Sequence, residues 1–145
     1  MRGTNSKIVG VLTAAVFLGG CSLFGGTNES GKIQFGQGFQ RVSAHAINVV
    51  HPQTVFHKGQ FIGWVAHLKK PADATSITLT ILSSGRHPST LVTESVPVNP
   101  HWNELAHSQP VRWLEALHLR APGSYVLRYA RGHMVLAEGS FRLTG

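Results

Sequence analysis

Nine histidines, six carboxylates and a single cysteine, Cys21, are the residues of this 145-residue chain able to do acid–base, metal or nucleophilic chemistry. His45, His51 and His57 recur every six residues, and His101 and His107 repeat that interval. Imidazole suits zinc or copper, but six is not a usual ligand spacing on a strand or a helix. No second cysteine and no His-x-His pair supports these histidines, and Met134 is the only methionine after Met1. No residue is therefore assigned to a metal, although a histidine-based zinc or copper site stays open as the alternative function. Acid–base hydrolysis would need two of Glu94, Glu104, Glu115, Glu138 and Asp73 to converge. A Ser-His-Asp arrangement has one Asp to draw on, Asp73 in a polar loop, and no Gly-x-Ser-x-Gly elbow. The expectation is a protein that is not an enzyme, with no catalytic residue.

Two further motifs carry chemistry on paper. Gly26-Thr27-Asn28-Glu29-Ser30-Gly31-Lys32 has the spacing of a phosphate-binding loop, but Ile33 stands where a magnesium-holding Ser or Thr is needed. No apolar strand leads into it and no helical pattern follows, so nucleotide binding is rejected. Pro100-His101-Trp102-Asn103 sets an aromatic in a polar loop. Such a ring can stack on a sugar or grip a partner, with the flanking polar groups hydrogen bonding. His101, Trp102, Asn103 and His107 are the candidate contact residues. Trp102 has a competing use, folding back to cap the end of the domain.

The elements that must position these residues divide unevenly along the chain. A basic start (Arg2, Lys7) precedes the apolar run Ile8 to Phe17, and Leu18-Gly19-Gly20-Cys21 closes the segment. This is the order of a signal peptide, and it is too short to span a bilayer core, which needs about 20 apolar residues. Together these residues resemble a bacterial lipoprotein signal peptide with its lipobox. The resemblance implies cleavage before Cys21, a diacylglyceryl thioether on that cysteine and anchoring on the extracytoplasmic face of the cell membrane. Ser22, where an Asp would favour inner-membrane retention, leaves the outer membrane open. The lipid is the only covalent group implied, and no cofactor is expected.

Removal of residues 1–20 takes Arg2 and Lys7 away and leaves 11 basic against 6 acidic residues, a net charge of +5. Lys69-Lys70 is the only adjacent basic pair, so no nucleic acid is expected as partner. Residues 21–40, rich in Gly, Ser, Asn and Gln, read as a flexible tether. From Arg41 to Gly145 the pattern is β. Val42, Ala44 and Ala46 alternate with polar neighbours. Ile62, Trp64, Ala66 and Leu68 share one face of a strand, and Ile77, Leu79 and Ile81 share a face of another. Leu91 to Val98 reads as a strand placed at an edge by Pro97. Ser108 to Leu119 reads as a short helix, and the two final strands turn at Arg131-Gly132-His133.

Short strands, tight turns and no βαβ units predict an all-β antiparallel sandwich. Gly123-Ser124-Tyr125, opening a penultimate strand after a crossing helix, resembles the tyrosine corner of immunoglobulin-like domains, with Trp64 as the core indole. That resemblance covers residues 41–145 and implies a fold without implying a function. The expected whole is a cleaved signal peptide (1–20), a tether (21–40) and an immunoglobulin-like β-sandwich (41–145). It would act as a lipid-anchored, non-catalytic interaction module for an envelope protein or a wall polymer.

Overall fold

The structure, a computed structural model, describes residues 30–44 and 46–145. The expected signal peptide, the lipidation residue Cys21, residues 22–29 of the expected tether and His45 lie outside the described residues.

Nine strands and one helix follow in chain order: β1 (Gly31–Ser43), β2 (Ala46–Pro52), β3 (Val55–His57), β4 (Phe61–His67), β5 (Ser76–Ser83), β6 (Thr90–Pro97), β7 (Glu104–Pro110), α1 (Val111–Ala116), β8 (Gly123–Arg131) and β9 (Met134–Thr144). They hydrogen-bond in the order β6-β5-β8-β9-β1-β4-β7, with β2 on β1 and β3 on β9. The β1–β9 contact is parallel and the other pairs along this path are antiparallel. At that parallel seam the sheet curls over, and β1-β4-β7 faces β6-β5-β8-β9 across one apolar core. This division of strands is that of an immunoglobulin-like sandwich, with an A-B-E sheet against a C′-C-F-G sheet. The described residues are all-β with one short helix.

The corner motif is in place. Tyr125, at the start of β8, is buried and its hydroxyl donates to the Arg120 carbonyl, five residues upstream. The Arg131–Met134 turn brings β8 back as β9, with Gly132 at φ +59° where the tight connection requires left-handed backbone. Trp64 is the buried indole, and its Nε1–H donates to the Tyr129 hydroxyl 3.0 Å away, joining β4 to β8 across the sandwich.

Three expectations need correction. Residues 31–40, expected in the tether, form most of β1, with Ile33 and Phe35 buried against the core. The glycines that suggest flexibility there are demanded by crowding: a Cβ on Gly31 would strike the His67 carbonyl oxygen, and one on Gly36 would lie 2.5 Å from the Val50 carbonyl oxygen. Val42 is half exposed and Ala44 lies in a turn, so the alternation expected from Val42 marks a hairpin that leaves the core rather than a core strand. The helix expected from Ser108 starts only at Val111. Residues 104–110 pair with β4 from Phe61↔Pro110 to His67↔Glu104. Pro110 is extended (φ −63°, ψ 140°), which lets it end the strand and still start the helix that buries Val111 and Leu114.

Candidate functional site

Register fixes which side chains look into the sandwich. In the antiparallel pairs, opposed residues share a face. Glu94, Leu79 and Tyr129 therefore form one inward row across β6, β5 and β8. Across the core, His107, Trp64 and Phe35 form the facing row on β7, β4 and β1. The inner members of both rows are buried, and the Trp64–Tyr129 hydrogen bond ties the rows together. The outer members, Glu94 and His107, stand on the two edge strands and are exposed although they face inward. The sandwich is thus open between β6 and β7. No described strand lies beyond β7, where constant-type immunoglobulin domains place a fourth strand.

That opening is a cavity of about 830 Å³. Its apolar wall is Leu79, Ile81, Val92, Leu105 and Leu114. Leu117 of the turn after α1 lines it towards one end, and the 99–103 loop closes the other. The β1–β2 hairpin contributes Phe39, Arg41 and Ile47. The Arg41 guanidinium is held on the hairpin by the Ser43 and Ala44 carbonyls, 3.5 and 3.3 Å away.

The four contact residues expected from sequence all line this cavity: His101, Trp102, Asn103 and His107. The main chain of their loop is stapled to the 68–73 segment. Leu68, Ala72 and Asp73 donate their N–H groups to the carbonyls of Asn103, Trp102 and Pro100 at 2.8, 2.8 and 2.9 Å. His101 N–H donates to Asn99 Oδ1 at 2.9 Å, closing a local turn. On this fixed backbone Trp102 is 51% exposed, so it does not fold away as a cap. His107 belongs to β7, not to the loop that carries the other three. Its ring packs on Trp64 at 5.0 Å between centroids, and its Nε2 is 3.1 Å from Gln109 Oε1.

The carboxylates separate by partner. Glu104 meets His67 Nδ1 at 3.1 Å, Glu115 meets Lys58 at 3.7 Å and Glu138 meets Arg128 at 2.7 Å. Glu94 alone of the described glutamates has no hydrogen bond or ion pair. Its charge acts instead on Tyr129. Burial pushes the Tyr129 phenol above its ordinary value, the Trp64 N–H opposes that, and the Glu94 carboxylate adds to it. The phenol is therefore a neutral donor at physiological pH. Its oxygen accepts from Trp64, while its own proton has no acceptor among the described residues. Among the described residues no three His, Cys, Asp or Glu side chains gather closely enough to hold a metal ion.

Sequence reading missed the phase of Glu94 and the role of Tyr129. The signal was present: Glu94 occupies the same alternation as Val92 and Val96, a charge in the apolar phase of an edge strand.

No protein-family model matches the chain, and no curated protein matches it. Among solved structures it is similar to an immunoglobulin-like protein from Pseudomonas aeruginosa, with 18% identity over 84% of this chain and 99% of that one and a TM-score of 0.47.

Proposed function

We propose that this protein is a lipid-anchored, non-catalytic binding module of the cell envelope, and that its contact site is the mouth between β6 and β7. The observation that carries the reading is the stapled 99–103 loop. It holds Trp102 half exposed beside a cavity that reaches the core tyrosine. A rigid aromatic at the rim of an apolar cavity with a few polar groups is the general form of a recognition site. The carboxylates support binding over hydrolysis, since the other glutamate lining the cavity, Glu104, is engaged by His67.

Anchoring rests on Leu18-Gly19-Gly20-Cys21 and the basic and apolar residues before it. Two or three acyl chains on Cys21 would hold the protein stably where one would be marginal. The first described strand begins at Gly31, ten residues after Cys21, and ten residues can span at most about 36 Å. The module would therefore work close to the membrane surface, on an envelope protein or a wall polymer.

In-cell photocrosslinking from position 102, with a matched probe at the exposed Val42, tests the reading. Capture of one recurrent envelope component from 102 and not from 42 is the expected result. Equal capture from both positions would remove the mouth as the contact site. Metabolic labelling with palmitate, lost in Cys21→Ser, tests the anchor separately.

A further inference from the structure

The polar groups at the mouth define what they can bind. Tyr129 offers a hydroxyl proton from a residue 3% exposed, and it has no acceptor among the described residues. Glu94, two strands away in the same inward row, offers a carboxylate without a partner among the described residues. A ligand that satisfies both must present an acceptor to Tyr129 and a donor to Glu94 across Leu79. An ammonium lacks the acceptor, and a carboxylate lacks the donor and would meet Glu94 as a like charge. An amide has both. Leu79 lies between Glu94 and Tyr129 in the same row, so an apolar surface separates the two polar groups and suits a methyl. Beyond them, Trp102 gives a half-exposed ring face for stacking, and the planar side chains of Asn103 and Gln109 line the same cavity. Planar polar groups beside an exposed indole match the hydroxyls and the apolar C–H face of a sugar ring.

We infer that the β6–β7 mouth is a saccharide site for a chain of 2-acetamido sugars. The acetamido carbonyl accepts from Tyr129, its N–H donates to Glu94, its methyl lies on Leu79, and a sugar ring stacks on Trp102. This deepens the proposed function by choosing a wall polymer over a protein partner, and it rests on that reading only for the place of the site. An extended peptide strand adding to the free edge of β7 is the competing occupant.

The test uses the full chain in lipid nanodiscs, with triacetylchitotriose as probe and cellotriose, which has hydroxyls in place of acetamido groups, as control. Saturation-transfer NMR and tryptophan fluorescence read binding. The expected result is binding of the acetylated trisaccharide, with acetamido methyls receiving the strongest saturation and cellotriose at least about tenfold weaker. Glu94→Gln should weaken the acetylated sugar about tenfold or more through loss of the charged acceptor, and Trp102→Ala should do so through loss of stacking. Both side chains are exposed, so these variants should retain the circular dichroism spectrum and melting temperature of the parent. Tyr129→Phe is unsuited as the main probe because it also strips Trp64 of its acceptor. Equal binding of the two sugars, or binding unchanged in Glu94→Gln, overturns the assignment of the acetamido pocket. Binding of neither sugar overturns the saccharide site. If position 102 still captures one envelope protein in cells in that case, the module reading survives and only the ligand class falls.

Discussion

The two seams of this sandwich are built from opposite materials. On one side β1 and β9 close the sheets by parallel pairing, Gly31↔Ala137 and Lys32↔Glu138. Behind that seam Phe35 packs on Phe141 at 5.3 Å, and Phe141 on Tyr125 at 5.7 Å. On the other side β6 and β7 do not pair, and the inward phase ends in Glu94 and His107. The same strand shows both characters. Tyr125 of β8 gives its hydroxyl to the chain's own backbone, whereas Tyr129, four residues on, accepts from Trp64 and keeps its proton unspent. Side-chain packing and strand pairing concentrate at the closed seam, and the proposed contact site lies at the open one.

Substitutions can sharpen or break this contrast. The largest expected effect is at the tie between the seams. Trp64→Ala removes the indole from a site 2% exposed and should destabilise by about 3–5 kcal/mol in chemical denaturation. Tyr129→Phe leaves the buried Trp64 N–H without an acceptor and should cost about 1–3 kcal/mol. The same residue sets an alkaline limit. Its folded pKa lies above the ordinary value of 10.0, so the unfolded chain loses the proton first. Stability is complete below that value and declines as pH rises through the folded pKa. Thermal melts above about pH 10 should therefore show a loss that is smaller in Tyr129→Phe. Tyr125→Phe gives up one hydrogen bond to backbone and should cost about 0.5–1.5 kcal/mol, with no change in ligand binding. Trp102→Ala should change stability by less than about 0.5 kcal/mol while weakening binding, the reverse of the Tyr125 pattern. A loss of several kcal/mol at Trp102 would make it part of the core and erase the distinction between the seams.

Legibility in the sequence followed the same division. Where apolar and polar residues alternate cleanly, as in Ile77-Leu79-Ile81 with Thr78 and Thr80 between, strand and facing were readable; Ile62, Trp64 and Ala66 were also placed on one buried face, although Val65 between them is buried as well. The corner was readable because Gly123-Ser124-Tyr125 is local in sequence. β1 was not readable over residues 31–40, because glycines required by close backbone approach look the same in sequence as glycines of a flexible linker. β7 was not readable because Ser108 and Pro110 signal a helix start, and pairing with β4 overrides that signal until Val111. The loop half of the site, His101 to Asn103, came from residue types alone. In the other half, the inward phase of Glu94 is local, in its alternation with Val92 and Val96, but its place in one row with Tyr129 depends on register across three strands, which no window of sequence contains.

Glu94 also sets a condition on any second copy that would approach this edge. An unpaired strand beside an apolar opening is a template for edge-to-edge association, the first step of aggregation. Pro97 removes a donor from β6, and the inward carboxylate means that a second copy sealing the mouth with an apolar strand would bury an uncompensated charge. The charge that a donor-bearing ligand can satisfy is one that an ordinary apolar strand cannot. On the proposed reading the same side chain serves ligand binding and protection of the edge, so Glu94→Val should both weaken binding of the acetylated sugar and raise light scattering at high protein concentration.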